Sequence, residues 1–394
     1  MKKLTALLLV GISCISLLAG CGKKEEETVE TVPVADVVET EAAPVETEAE
    51  AEPETEIETE TVTEDLPPEE GMVRSYLTNE WIAGELENQR PIAVMIPNEN
   101  ACLPHYNISN ADILYECNVE ANMTRLMAVF KDWRDLEKIG NIRSCRDYYV
   151  YWAKEYDAVY CHVGGPFYIL PIINDETTNN ISGSVLASDN SQKKGYVDSA
   201  FYRSTDRKAP HNCYTDGSKI AAAMDTLGYS DEYTSNYEGG SHFTFAAGEN
   251  TLEQYGENAF DANKIDLSGS YKITKTYFEY NAEDGLYYRF QGMQNGDKAH
   301  VDAATGKQLA FKNVLVQFTH YETRDDKGYL GYQCHDTTKD GYYFTNGKAI
   351  HVTWEKTSDY GSTVYYDDNG TEIELNTGKT MICILKDGTT LEVQ

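Results

Sequence analysis

The chain has 394 residues, with 65 Asp and Glu against 33 Lys and Arg, a formal net charge of −32. A surface of that sign repels phosphates, which disfavours DNA and RNA as partners, and no nucleic acid is expected. Hydrophobic residues make up 41% of the chain and tyrosines number 29, so a core can be buried, and the length suggests two domains.

Met1-Lys2-Lys3 is a basic start, and residues 4–18 form an apolar run too short to span a bilayer. The pattern is that of a secretory signal. It ends in Leu18-Ala19-Gly20-Cys21, which resembles the lipobox of bacterial lipoproteins. In that family the cysteine is linked to diacylglycerol and becomes the first residue after cleavage. The resemblance implies a lipoprotein signal peptide over residues 1–20 and a lipid on Cys21. It also implies a location on the extracytoplasmic face of the cell membrane. Each buried methylene contributes about 0.8 kcal/mol, so two acyl chains anchor durably where one does not.

Residues 22–71 hold 19 acids and two lysines. Glutamates recur at every second position between residues 46 and 60, and Pro33, Pro44, Pro53, Pro67 and Pro68 oppose any helix. Aromatics are absent, so residues 21–71 are expected to form a disordered acidic linker, extended by its own charge.

The folded body is expected from residue 72 onward, as an N-terminal domain over 72–247 and a C-terminal domain over 248–394. The expected class is α+β: a mixed α/β first domain packed with a mainly antiparallel-β second domain. Residues 91–96, 112–116, 125–130 and 158–163 read as strands. Tyr149, Trp152, Ala153 and Tyr156 fall on one helical face, with Ser144 as N-cap and Asp147 three residues on. Ile220, Ala223, Met224 and Leu227 mark a helix after Asp216. Beyond residue 248, Val314, Val316 and Phe318 alternate with other positions, as do Ile350, Val352 and Trp354. Residues 381–385 read as a buried strand. Asp284-Gly285, Asn295-Gly296, Asn346-Gly347, Asn369-Gly370 and Asp387-Gly388 punctuate these strands as turns, so this half is expected to be antiparallel.

Seven cysteines follow Cys21 at irregular spacings with no C-x-x-C, which is not a disulfide framework. Cys161 and Cys383 sit in apolar runs as small hydrophobes, and Cys145 and Cys213 are the weak candidates for a reactive thiol. Gly378-Lys379-Thr380 mimics the end of a P-loop, but Ile373 stands where the first glycine is required. Ser188-Asp189-Asn190 and Ser191-x-x-Lys194 mimic penicillin-binding motifs in reverse order. With no H-E-x-x-H and no close histidine pair, no metal and no cofactor are expected.

One constellation stands out in the first half. Arg125 follows Glu116 and Glu120. Arg143-Ser144-Cys145-Arg146, His162-Val163-Gly164-Gly165 and a segment holding Arg203, Arg207, His211 and Asn212 come after it. Arg146 falls in the first turn of the expected helix, where a cation is unfavourable unless an anion balances it. These residues, with Ser144, Gly164 and Gly165, are candidates for a carboxylate or phosphate site. The alternative is an internal network pairing the arginines with Glu116, Glu120, Asp147 and Asp206. His211, on a Pro-bounded loop, has a better claim to chemistry than His162. Three functions stay open: a binding module for an anionic envelope ligand, a scaffold for membrane proteins, and an envelope hydrolase or transferase using His211 with Glu116 or Glu120.

The run Arg90-Pro-Ile-Ala-Val-Met-Ile-Pro-Asn98, with Ala111-Asp112, Tyr115-Glu116, Val119-Glu120, Thr124-Arg125, Arg143-Ser144-Cys145-Arg146, His162-Val163-Gly164-Gly165 and Ala209-Pro210-His211-Asn212, resembles the YerB-like lipoprotein family. The second half is similar to that family through Tyr287 to Arg289, His300-Val301-Asp302, Asn313-Val314, Gly347-Lys348, Trp354 and Gly378-Lys379-Thr380. The resemblance implies a lipid-anchored, extracytoplasmic two-domain α+β protein and carries over no catalytic role. Two departures stand out: Ala121-Asn122 replaces the usual glycines, and Asn141-Ile142 replaces a Pro-Val-like pair.

Overall fold

The computed structural model describes residues 66–184, 191–237, 239–293 and 296–394. The signal, Cys21, nearly all of the linker, residues 188–190 and Asn295 lie outside the described residues. No helix among the described residues is long and apolar enough to cross a membrane.

The first half supplies β1 (Ile92–Pro97), β2 (Ile113–Asn118), β3 (Thr124–Phe130), α1 (Asp147–Lys154), β4 (Val159–His162), a short α2 (Leu170–Ile173), β5 (Asn180–Ser182) and α3 (Gly217–Leu227). The second half supplies β6 (Phe260–Asp261), β7 (Lys264–Asp266), β8 (Thr276–Asn281), β9 (Leu286–Met293), β10 (Gly296–Ala299), β11 (Ala310–Phe311) and β12 (Asn313–Thr319). It continues with β13 (Asp336–Thr345), β14 (Lys348–Lys356), β15 (Val364–Tyr366), β16 (Thr380–Lys386) and β17 (Glu392–Val393). The molecule is therefore mostly β, with several sheets and few helices.

An 11-stranded sheet runs β6-β14-β13-β12-β16-β2-β3-β1-β4-β5, with β15 added on β14. It takes strands from both sides of residue 248. The junction is β16, which pairs in parallel with β12 on one edge and with β2 on the other. The second half is mainly antiparallel, as expected, and the pairing of β16 with β12 is its parallel exception. Residues 381–385 are apolar throughout and buried on both faces, and that is the setting in which parallel pairing occurs. For the same reason β12 does not alternate: Val314, Leu315 and Val316 are all fully buried. Strand β14 does alternate, with Ile350, Val352 and Trp354 inward.

Two cores cover the two faces of this sheet. Ala93 and Met95 of β1 point into one, with Tyr149 and Trp152 of α1. Ile92, Val94 and Ile96 point into the other, with Ile220 and Met224 of α3 and with Phe278 and Tyr287 of a second sheet. That second sheet runs β10-β9-β8-β7-β17, with β11 on β9. The period-2 geometry of a strand makes this division.

Local signals behave as their chemistry requires. The Asp216 side chain accepts from the Lys219 N–H at 2.8 Å and caps α3, and Gly228 ends it in the left-handed region. Asn346-Gly347, at φ 52° and 71°, makes the two-residue turn between β13 and β14. Ser144 is not the N-cap of α1: the helix starts at Asp147, and Arg146 precedes it in extended conformation. The cause is tertiary. The Ser144 carbonyl accepts from Arg125, and Arg143 and Cys145 are hydrogen-bonded to Met95, Val163 and Gly164, which keeps residues 143–145 extended.

Two buried ion pairs tie residues from the two halves together. Arg289 Nη2 donates to Glu116 Oε2 at 2.6 Å, with both side chains fully buried. Glu116 also accepts from Asn98, Thr124 and Thr276. The second pair joins Lys356 to Glu155 at 3.3 Å, again fully buried, with Thr363 donating to the same carboxylate.

Candidate functional site

The arginines of the first half divide into two groups. Arg146 is buried, and its guanidinium donates through Nε to Glu120 at 3.1 Å and through Nη2 to the other Glu120 oxygen. Burial opposes its charge, yet the Glu120 hydrogen bonds hold its pKa above the usual arginine value. Arg125 donates to the Ser144 carbonyl at 2.6 Å and lies 3.8 Å from Glu120. Burial lowers it to about 10. Asp147 binds Arg324 at 2.7 Å. This group follows the internal-network alternative, with Glu120 shared between two cations.

His162 is buried, with Nδ1 3.0 Å from the Gly164 carbonyl and Nε2 3.4 Å from Asn180. Burial lowers its pKa to about 4, so it is neutral. Gly164 adopts φ +81°, and a Cβ on Gly165 would sit 2.4 Å from Ile169 Cδ1. The close neighbour of the second glycine is thus the end of a packed side chain.

The other group stays open. The Arg143 side chain is half-buried and makes no hydrogen bond or ion pair among the described residues, and its Nε is a buried atom without a partner. Arg203 is exposed and donates to Asn212 at 2.9 Å. Arg207 donates to the carbonyls of Cys102 and Pro104, at 2.5 and 2.8 Å. His211 Nδ1 lies 3.1 Å from Cys102 Sγ, and Cys102 Sγ donates to Glu99 Oε2 at 2.7 Å. Burial and then Arg143 lower the His211 pKa. Burial and then Glu99 push the Cys102 thiol up. His211 thus meets Glu99 and Cys102, and shares no hydrogen bond with Glu116 or Glu120. Cys145 and Cys213 are buried, and burial raises both thiols.

A cavity of about 670 Å³ lies elsewhere, where residues of both halves meet. Lys307, Lys312 and Lys379 line it with Glu249, Asp284 and Tyr288. Lys312 is engaged by Glu249 at 2.5 Å and Asn346 at 2.7 Å. Lys379 donates to the Ser109 carbonyl, and burial lowers its pKa. Lys307 is exposed and has no side-chain partner among the described residues. The volume falls in the range of small-molecule sites.

Known proteins agree with this architecture. The family model described as "Protein of unknown function (DUF3048) N-terminal domain" matches residues 77–230, and its C-terminal counterpart matches residues 265–382. YerB of Bacillus subtilis (strain 168), provisionally named a lipoprotein, is 25% identical over 325 residues, covering 82% of this chain and 89% of its own. The chain belongs to the YerB-like two-domain family. The crystal structure of the YerB protein from Bacillus subtilis superposes with a TM-score of 0.65 at 22% identity, over 81% of this chain and 99% of that one. At that identity the likeness speaks for the fold.

Several family motifs turn out to be structural in this YerB-like chain. Glu116, Arg289 and His300 form the buried junction, with Arg289 hydrogen-bonded to His300 and His300 to His105 at 2.9 Å. Asp302 accepts from the Asn107 and Ser109 backbone N–H groups at 3.0 and 2.8 Å. Sequence reasoning missed Glu99 and Cys102, because Cys102 lies 109 residues from His211 and no local pattern links them. It missed the cavity as well. The pseudo-P-loop residues Gly378 and Lys379 line that cavity without any phosphate-cradle glycine pattern.

Proposed function

We propose that this chain is a lipid-anchored, extracytoplasmic binding module for a polar envelope ligand that carries an acidic group, taken up in the 670 Å³ cavity. The observation that carries the reading is Lys307, an unpartnered cation on the cavity wall in a protein of net charge −32. The two other lysines and Tyr288 add donors, and Leu286, Leu309 and Phe311 add apolar wall, the mixture expected of a site that fixes a polar ligand. Lipid anchoring and the extracytoplasmic location are supported by Leu18-Ala19-Gly20-Cys21 and by the lipoprotein name of the B. subtilis relative.

The test is a thermal-shift panel of phosphate, sugar acids and cell-wall fragments. A ligand raises Tm in the parent protein, and Lys307→Ala removes the rise without lowering the unliganded Tm. A panel without any shift counts against the reading. The hydrolase alternative draws no support from the geometry: Glu116 and Glu120 are each claimed by a buried guanidinium, and His211 has neither as a partner.

A further inference from the structure

Glu99, Cys102 and His211 bring three different metal-ligating atoms within 4.8 Å of one another. We propose that they form a three-ligand site for a borderline-soft divalent cation of the zinc class. Thiolate, imidazole and carboxylate are the donor types such an ion selects, and a three-ligand protein set leaves a fourth position for an exogenous ligand.

The chain builds the site from two segments and locks them together. A 3-10 turn over Asn100–Cys102 follows Glu99, with the Cys102 N–H bonded to the Glu99 carbonyl at 2.8 Å. That turn places the two side chains on the same side. His211 arrives on the loop after Pro210. The fully buried Asn141 then donates from one Nδ2 to both carbonyls, Cys102 and His211, each at 2.9 Å. Arg207 adds its bonds to Cys102 and Pro104. The segments are therefore fixed through their backbones, while the ligand atoms have no partners beyond one another and remain free to turn toward an ion.

The separations suit metal capture. Sγ lies 2.7 Å from Glu99 Oε2 and 3.1 Å from His211 Nδ1. Tetrahedral zinc, with bonds of about 2.0–2.3 Å, sets such atoms about 3.5 Å apart. The required spread is about half an ångström to one ångström, and Glu99 and His211 are only half-buried, so side-chain rotation supplies it. Charge also balances. A thiolate and a carboxylate neutralise a divalent ion, so the nearby Arg143 and Arg207 face a neutral centre instead of repelling a bare cation. Cys102 forms no disulfide, and the described cysteines are all free.

The experiment is titration of the chelator-treated full-length protein in detergent with Zn²⁺, and with Co²⁺ as a spectroscopic probe. One equivalent is expected to bind, with a thiolate-to-cobalt charge-transfer band. Cys102→Ser abolishes that band, and Glu99→Gln and His211→Ala each weaken binding about tenfold or more. A folded protein that binds no stoichiometric Zn²⁺ overturns the proposal, as does a cobalt band that persists in Cys102→Ser. If Cys102→Ser fails to fold, the two half-buried positions decide: unchanged affinity in both variants rejects the site.

Discussion

Arg289 and Arg143 carry the same guanidinium into opposite settings. Arg289 is fully buried, paired at 2.6 Å with a fully buried Glu116 and bonded to His300. Arg143 is half-buried and has no polar partner among the described residues. The first holds strands from the two halves of the chain against each other. The second sits beside Cys102 and His211, where its charge reaches their thiol and imidazole. Most charges in this acidic chain that look functional by residue type are joints. Arg143 and Lys307, which have no side-chain hydrogen bond or ion pair among the described residues, each lie at a candidate site.

The largest effect should come from breaking the joint. Arg289→Met leaves Glu116 buried without its cation and should cost about 3–5 kcal/mol in chemical denaturation. A loss below 1 kcal/mol would mean that the threonine and asparagine donors around Glu116 suffice. The joint should also register acid. Burial holds His105 at about 3, below its ordinary value near 6.5. From pH 6.5 downward the unfolded chain takes up a proton that the folded chain refuses, so stability falls as pH drops through that window. The slope approaches about 1.4 kcal/mol per pH unit for one such group. Asp112, raised by burial to about 6, works in the opposite direction between pH 6 and 3.8. The histidines His105 and His162 together outweigh it. Calorimetry across pH 7 to 4 should show Tm falling, and His105→Gln should flatten the trend. An unchanged slope removes His105 from the account.

A smaller contrast compares neighbours. Arg146→Ala strips Glu120 of its principal partner and should cost about 2 kcal/mol. Arg143→Ala, three residues away, should stay within about 0.5 kcal/mol because no polar contact is lost. Equal losses at both positions would erase the distinction between joint and open cation. Ala121 has φ 58° and Asn122 has φ 57°, the left-handed conformation that favours glycine. Replacing Ala121 with glycine relieves the Cβ clash and costs backbone entropy, so the net gain should be about 0.5 kcal/mol. A drop in Tm would show that the loop is held for another reason.

The departures from the family pattern also divide by setting. Ala121 and Asn122 keep the backbone conformation that glycine favours. Asn141 gains a role no proline could fill, since its amide bonds the Cys102 and His211 carbonyls.

The amino-acid sequence by itself determined the elements that rest on local chemistry. The α3 cap at Asp216, the Asn346-Gly347 turn, the apolar run of β16 and the helical face of Tyr149, Trp152 and Ala153 all arise from neighbours within a few residues. Tertiary structure alone decided the parallel seating of β16 between β12 and β2, the start of α1, and which arginines are satisfied. It also decided the meeting of Cys102 with His211. A strand does not specify which edge it will join. A charge does not specify whether its partner, 173 residues away in the case of Glu116 and Arg289, will arrive within hydrogen-bond reach.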